Sequence, residues 1–256
     1  MKIAISGKGG VGKTTIAGTL CRTLGRSGRE VLAIDGDPNP NLAVVLGIEG
    51  NPAPPPLSGK LLERYEGEDG KTRVRLEDPV EEVFRTHGIA APDNVTLLLL
   101  GKPEHAGTGC MCSSHAVVRE VVHAAVAETN RITVLDMEAS LEHMKRGTAK
   151  YVDVLYVVVE PYYRSLEAAA RIQELARELE IERVAVIANK VRGDEDREAI
   201  EQFCAKRGLD LRVLIPYDET LAEAEREGRS IVELNGASVA VQRIAELGKE
   251  ILASAA

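Results

Sequence analysis

The segment GKGGVGKTT, residues 7–15, constrains the fold of this chain more than any other stretch. It follows a short apolar run, KIAIS, and matches the pattern G-x-x-x-x-G-K-[ST], which links a buried strand to a helix. Its glycines permit backbone conformations that turn N–H groups inward around phosphate oxygens, and the following helix adds partial positive charge. The segment therefore predicts a strand, a phosphate-binding loop and a helix at the start of an α/β domain.

The residue types in this loop predict separate tasks for its side chains. We expect Lys13 to contact the β- and γ-phosphates of ATP or ADP, and Thr14 to ligate Mg²⁺. The predicted nucleotide-binding residues of the loop are Gly9, Gly10, Val11, Gly12, Lys13, Thr14 and Thr15.

Apolar runs rich in Val, Ile and Leu recur along the chain and alternate with helical patterns. Nearly continuous runs of this kind are typical of parallel strands that helices cover on both faces. We therefore predict an α/β fold, a doubly wound and mostly parallel sheet with helices on both faces. The strands are predicted at 2–6, 30–35, 95–100, 132–137, 154–159, 184–189 and 211–216, and the helices at 13–27, 115–128, 164–180, 194–207, 218–226 and 237–253.

Length and composition bound the domain organisation. The chain has 256 residues, which favours a single domain over 1–256. One compositional break interrupts it at about 50–94, where the Pro-rich stretch NPAPPP precedes a polar, charged segment. We interpret this stretch as a partly mobile insertion into the α/β core and not as a separate domain.

Charge and hydropathy weigh against two classes of partner. The net charge of −8 gives no general attraction to nucleic acid or anionic lipid. The longest apolar run, VDVLYVVVE, is too short to cross a bilayer, and the N-terminus has no signal-peptide pattern. We therefore expect a cytoplasmic protein with no nucleic-acid or membrane partner. The four cysteines are then expected to be reduced thiols or metal ligands.

Lys8 adds a second lysine at the start of the loop. The pattern KGGxGKT with this extra lysine resembles the deviant Walker A ATPases, which include the MinD and ParA proteins and the nitrogenase iron protein. The resemblance implies a homodimer that forms on ATP binding, in which Lys8 reaches the nucleotide of the partner subunit. Lys8 and Lys13 are therefore expected to be catalytic, because positive charge stabilises the transferred phosphoryl group.

Two acidic segments extend the resemblance. The segment DGDP places Asp35 and Asp37 after the second strand, which implies that Asp37 orients or activates the attacking water and that Asp35 supports the Mg²⁺ shell. Asp136 ends the strand ITVLDM as the expected Walker B acid. The family pattern D-x-x-x-G is not kept, because Ser140 stands where a glycine is expected.

Two further strand ends resemble the base-binding segments of the same family. The segment ANK contributes Asn189 and Lys190, and the resemblance implies that the amide of Asn189 reads the adenine edge. The segment IPYDE contributes Pro216 and Tyr217 as the second base-side segment.

Cys110 and Cys112 form a C-x-C pair. Two thiolates supply half of a tetrahedral site for a soft or borderline metal, and a two-fold symmetric dimer would bring together four. With the segment EHMKRGTAK, the pair resembles the carbon monoxide dehydrogenase accessory ATPases of the CooC family. The resemblance implies Ni²⁺ or Zn²⁺ at the dimer interface, and a nickel enzyme, carbon monoxide dehydrogenase or acetyl-CoA synthase, as client. His105 and His115 flank the pair, and we expect a solvated or capping role for them in preference to ligation.

Two alternative functions stay open. An iron–sulfur-cluster-carrying ATPase could use the same thiols, although the segment after Asp136 has no second cysteine of the nitrogenase type. A MinD- or ParA-type positioning ATPase would use a basic membrane-binding tail or a basic DNA-binding face. The tail VAVQRIAELGKEILASAA carries two basic and two acidic residues, which is a weak signal for membrane binding.

Overall fold

A computed structural model gives the fold of the chain. It describes residues 1–37, 39–49, 57–100, 112–124, 131–137, 151–227 and 231–254, without the side chains of 112–114, 225 and 235–237. The strands are β1 (Lys2–Gly7), β2 (Glu30–Asp35), β3 (Leu62–Glu66), β4 (Thr72–Leu76), β5 (Ile89–Ala91), β6 (Val95–Leu99), β7 (Arg131–Asp136), β8 (Val154–Val159), β9 (Val184–Val191) and β10 (Asp210–Pro216). The helices are α1 (Lys13–Arg26), α2 (Leu42–Val45), α3 (Val80–His87), α4 (Cys112–Ala124), α5 (Tyr163–Glu178), α6 (Asp194–Arg207), α7 (Glu219–Arg226) and α8 (Val239–Ser254), with 3₁₀ turns at Gly59–Leu61 and Ile231–Ala237.

Eight strands form one sheet in the order β10-β9-β8-β1-β7-β2-β6-β5. All neighbouring pairs are parallel except β5 and β6, which are antiparallel. All six residues of β8 are buried, as expected for a strand with helices on both faces. The predicted doubly wound, mostly parallel sheet is therefore confirmed.

The sheet separates two hydrophobic cores. Ile3 and Ile5 of β1 pack with α1 and α8 on one face, whereas Ala4 between them packs with α4, α5 and α6 on the other. This alternation follows from the two-residue period of a strand. The longest helices, α5 and α8, have 16 residues each, and no helix in the described ranges is long and apolar enough to cross a membrane.

The described part of the expected insertion contains its own small elements. Strands β3 and β4 form an antiparallel hairpin, and α3 follows it. Val80 and Val83 of α3 are buried in the core beside α4, and the Leu57 N–H donates to the carbonyl oxygen of Leu99 (3.0 Å). Strand β5 then extends the main sheet. These contacts attach residues 57–91 to the α/β core, while the single-domain organisation over 1–256 stays a prediction.

Parallel strands bring the acidic and glycine-rich segments to one edge of the sheet. In the register of β2 and β7, Asp35 lies beside Asp136. Strand β1, which leads into residues 7–15, pairs with β7 on one side and β8 on the other. Since the carboxyl ends of these strands meet at this edge, it is where ligands bind in an open α/β sheet.

Candidate nucleotide-binding site

The phosphate-binding loop has two glycines in left-handed backbone conformations. The φ angles are +80° at Gly10 and +94° at Gly12, values that residues with a side chain rarely adopt. A Cβ on Gly12 would also lie 2.4 Å from Nδ2 of Asn189. Both the conformation and the space at this position therefore require glycine.

Two side chains from the end of β9 hold this loop from outside. Nδ2 of Asn189 donates to the carbonyl oxygen of Val11 (2.8 Å), and Nζ of Lys190 donates to that of Gly10 (2.7 Å). Lys190 also forms an ion pair with Glu160 at the end of β8 (2.8 Å). In a trans peptide the N–H points opposite to the carbonyl, so the N–H groups after Gly10 and Val11 face away from β9. This arrangement leaves them available to an anion.

Lys13 is nearly buried at the first position of α1. Its Nζ donates to the carbonyl oxygen of Lys8 (3.0 Å), within its own loop. The ammonium therefore lies against the loop. This is the location from which we predict that it contacts the β- and γ-phosphates.

Asp136 is the most perturbed carboxylate of the site. Its pKa is raised to about 7, mainly by burial; the hydrogen bond from Thr14 and the charge of Lys13 oppose the increase, whereas the charges of Asp35 and Asp37 add to it. Oδ1 of Asp136 is buried, and no hydrogen-bond partner reaches it from the part of the chain that the structure describes. An unpaired carboxylate oxygen beside a threonine hydroxyl fits a divalent cation that prefers oxygen ligands. Mg²⁺ bound there would supply positive charge to the phosphate oxygens.

Asp35 is fully buried, and its carboxylate accepts hydrogen bonds from backbone N–H groups. Its Oδ1 accepts from the N–H of Asp37 (3.1 Å), and its Oδ2 accepts from the N–H groups of Asn41 (3.0 Å) and Leu42 (2.9 Å). Burial raises the pKa of Asp35, although these three bonds oppose the shift. The predicted support of the Mg²⁺ shell is therefore indirect in this geometry, because the carboxylate fixes the segment that carries Asp37.

Asp37 lies at the cavity, as its predicted role requires. Its side chain is half-buried and lines the same space as Lys13 and Thr14. One oxygen, Oδ1, accepts from the N–H of Asn39 (2.7 Å), which orients the carboxylate within the loop.

The cavity at this edge has a volume of about 580 Å³. It extends from the phosphate-binding loop to a partly apolar end between α2, α7 and α8. The predicted residues that line it are Gly9, Gly10, Gly12, Lys13, Thr14, Thr15, Asp37, Asn189, Lys190, Pro216 and Tyr217. The cavity is also lined by residues that were not predicted from the sequence: Ile16, Asn41, Val44, Val45, Ile215, Asp218, Leu221, Ala222, Ala240 and Ile244.

Tyr217 and Asp218 organise the base side of this cavity. The guanidinium of Arg192 lies 3.6 Å from the ring centroid of Tyr217, a cation–π contact that fixes the ring. Oδ2 of Asp218 accepts from the hydroxyl of Ser238 (2.7 Å), and Oδ1 accepts from the N–H of Thr220 (3.0 Å). Partial burial raises the pKa of Asp218, but these two bonds, together with those from the N–H groups of Ala240 and Leu221, outweigh burial and lower the pKa overall. Asp218 thereby ties the starts of α7 and α8 together; its position in the segment IPYDE was the available signal.

Lys8 is exposed and lies outside this cavity. It lines a second cleft of about 480 Å³ together with residues of α5, among them Tyr163, Arg164 and Arg171. Tyr162 and Tyr163, at the start of α5, are 64% and 69% exposed. The predicted catalytic lysine is thus not among the residues that line the cavity at the phosphate-binding loop.

Several predicted features fall outside the described residues. These are His105, Cys110, Ser140 and the segment 142–150; Cys112 is the first residue of α4, and its side chain is not described. His115, in the first turn of α4, is buried, which excludes the solvated alternative for this histidine, while the capping alternative stays a prediction. Among the described ranges there is no group of three or more His, Cys, Asp or Glu residues that could hold a metal ion.

Comparison with known proteins identifies the family. Residues 2–231 match the family model described as the CobQ/CobB/MinD/ParA nucleotide binding domain. The chain belongs to this family. The carbon monoxide dehydrogenase accessory protein CooC of Rhodospirillum rubrum is 38% identical over 251 residues, which cover 93% of this chain and 91% of that protein. An uncharacterised ATP-binding protein of Methanocaldococcus jannaschii is 36% identical over 239 residues, covering 90% of this chain and 91% of that one.

Solved structures of MinD proteins share the fold. The cell division ATPase MinD of Pyrococcus furiosus superposes with a TM-score of 0.74 at 24% identity, covering 99% of this chain and 98% of that one. The MinD of Pyrococcus horikoshii, complexed with Mg-ADP, gives a TM-score of 0.71 at 23% identity, covering 98% and 96%. The resemblance to CooC and to the MinD-type class is therefore confirmed. The family and the site identify the chain as a nucleotide-binding ATPase domain.

Proposed function

We propose that this ATPase dimerises when it binds ATP, holds Ni²⁺ or Zn²⁺ between the Cys110 and Cys112 pairs of two subunits, and assists nickel insertion into carbon monoxide dehydrogenase or acetyl-CoA synthase. The observation that carries the proposal is the 38% identity to CooC over 93% of the chain. The C-x-C pair also supports the proposal, because ATP binding does not itself require these two cysteines.

The hydrolytic part of the proposal assigns one task to each residue at the cavity. Lys13 and the loop N–H groups bind the β- and γ-phosphates, and Thr14 with Asp136 holds the Mg²⁺. Asp37 orients the attacking water, because its carboxylate lies at the cavity and is fixed by its bond to Asn39. Phosphoryl transfer depends mainly on positioning and charge stabilisation, so Asp37 need not be a strong base.

The dimeric part of the proposal uses Lys8. This lysine lies in the α5 cleft and outside its own nucleotide cavity, which is consistent with a contribution to the nucleotide of a second subunit. Tyr163 lines the cleft and is exposed, as is its neighbour Tyr162, and tyrosine is enriched at protein–protein interfaces. A lysine that arrives with the partner would link hydrolysis to dimerisation.

The metal part of the proposal rests on the position of Cys112 at a helix N-terminus and on the number of thiols that two chains supply. Helix α4 begins at Cys112, and a helix N-terminus stabilises a thiolate, the form that binds metal. Two such pairs related by two-fold symmetry supply the four ligands of a closed tetrahedral site. Here the metal is cargo that the protein delivers. A cytoplasmic location and the absence of nucleic-acid and membrane partners stay predictions.

The test measures bound Ni²⁺ and Zn²⁺ together with molecular mass, in ADP and in ATP. We expect one metal ion per two chains in ATP, weaker binding in ADP, and loss of the ion in Cys112→Ser. Cys204→Ser is the matched control, because it removes a buried thiol of α6 and should retain the metal. An ATP-dependent dimer without metal would reject the cargo role, and bound iron with sulfide would favour the cluster-carrying alternative.

A further inference from the structure

Helix α2 is a single turn, too short to be stable alone, and it follows the segment that carries Asp37. Its start is fixed by Asp35, whose Oδ2 accepts from the N–H of Leu42 (2.9 Å). Its end is fixed from a different element, because Nη1 of Arg22 in α1 donates to the carbonyl oxygen of Leu46 (2.7 Å). Strand β2 and helix α1 therefore hold the two ends of α2.

One face of α1 is shaped to receive these neighbours. Gly18, Arg22 and Gly25 follow at intervals of four and three residues, so they lie on the same side of the helix. A Cβ on Gly18 would lie 2.4 Å from Cγ1 of Val45 in α2, and a Cβ on Gly25 would lie 1.7 Å from the carbonyl oxygen of Asp93. The two glycines thus allow α2 and the turn before β6 to approach on either side of Arg22.

The guanidinium of Arg22 is buried, with 5% of its side chain exposed, and is oriented by Asp93. Nε of Arg22 bonds to Oδ2 of Asp93, and Nε of Arg26 binds the same oxygen (2.8 Å). Asp93 and Asn94 have φ angles of 62° and 60°, in the left-handed turn before β6. A buried guanidinium needs a charged partner, which here is Asp93. Because the guanidinium is planar, the bond from Nε to Asp93 also orients Nη1 toward the carbonyl oxygen of Leu46.

We propose that Arg22, oriented by Asp93, is a positioning residue for ATP hydrolysis. It holds the end of α2, so that Asp37 and Asn41, which line the cavity, keep a fixed position relative to the phosphates. Helix α1 begins at Lys13 of the phosphate-binding loop, so the same rigid element carries the loop and the anchor of α2. The inference rests on the ATPase activity and not on the proposed handling of nickel.

The kinetic test compares Arg22→Met, Arg22→Lys and the control Arg26→Met. In Arg22→Met we expect kcat for Mg-ATP to fall about tenfold with KM within about twofold, because misplaced catalytic groups slow the reaction while the nucleotide contacts remain. Lysine restores the positive charge beside Asp93, so Arg22→Lys should unfold at the same temperature as the wild type. It lacks the planar guanidinium whose separate N–H groups bind Asp93 and Leu46 together, so its kcat should stay low. Arg26→Met, one turn further from the loop, should keep kcat within about twofold.

A second measurement follows α2 directly. Amide hydrogen exchange at residues 41–46 in the ADP complex should accelerate in Arg22→Met, while exchange at residues 13–20 stays as in the wild type.

If Arg22→Met does not fold, Asp93→Asn replaces it in the kinetic test, with the same fall in kcat and the same nearly unchanged KM expected. An unchanged kcat in a folded variant, full recovery of kcat in Arg22→Lys, or an equal loss in Arg26→Met would overturn the proposal. Absence of ATPase activity in the wild type would instead refute the assignment as an ATPase.

Discussion

Replacing Asp136 by asparagine should stabilise the nucleotide-free, Mg²⁺-free protein at alkaline pH. The pKa of Asp136 is raised from 3.8 to about 7, mainly by burial. A carboxyl whose pKa is raised on folding favours the folded state fully below pH 3.8, and this contribution is lost as the pH rises through 7. Asparagine has nearly the same shape and carries no charge, so Asp136→Asn avoids this loss.

The size of the effect follows from the same pKa values. A rise from 3.8 to about 7 corresponds to about 4 kcal/mol over the full titration, at about 1.4 kcal/mol per pH unit. The free energy of unfolding of Asp136→Asn, relative to that of the wild type, should therefore increase by up to this amount between acidic and alkaline pH. Any constant difference, such as a weaker bond to Thr14, cancels in the comparison across pH.

Urea unfolding followed by far-UV circular dichroism measures this difference at several pH values in EDTA. Glu198→Gln, which removes an exposed negative charge from α6, controls for the change in net charge. Added Mg-ADP should stabilise the wild type more than the variant, because only the carboxylate can pair with the cation. A stability difference that stays constant across pH, or that shrinks as the pH rises, would refute the reasoning.

Three further predictions concern the nucleotide site. Gly12→Ala should reduce ADP affinity at least about tenfold by calorimetry, because its φ of +94° and the contact with Asn189 exclude a Cβ. Gly28→Ala, with a φ of +87° and open space, should bind ADP like the wild type, and an equal loss in both would contradict the steric argument. Asn189→Ala should weaken ADP binding about tenfold through loss of the bond to Val11, with unaltered affinity as the contrary result. Lys8→Ala should lose ATPase activity yet bind ADP normally, since Lys8 lies outside the nucleotide cavity of its own chain. A matching loss of ADP affinity would show that Lys8 acts on the nucleotide bound to the same chain.

Local patterns predicted the sheet and the phosphate-binding loop. The apolar runs were long and free of breakers, so strands such as 154–159 matched the structure at both ends. The loop motif depends on residues adjacent in sequence, and the positive φ angles of Gly10 and Gly12 favour glycine at these positions whatever the contacts with distant segments. Asp35 and Asp136 could be placed at one edge because parallel strands align their carboxyl ends.

Contacts between distant segments could not be predicted in this way. Arg22 and Asp93 are 71 positions apart, and an arginine within a helix resembles a solvated residue until its partner is known. Lys190 was expected on the base side, whereas its ammonium holds the loop at Gly10. Strand β5 has only three residues, too few for a periodic signal, and its place in the sheet depends on pairing with β6.

The central claim is that ATP-driven dimerisation assembles the metal site from two cysteine pairs. Equilibrium dialysis of Ni²⁺ against the wild type and Lys8→Ala, both with ATP, tests it most directly, because the variant keeps Cys110 and Cys112. We expect the wild type to bind one ion per two chains and Lys8→Ala to lose this tight site. Equal binding by both proteins would show that the metal site forms without the nucleotide-dependent dimer, and would contradict the account.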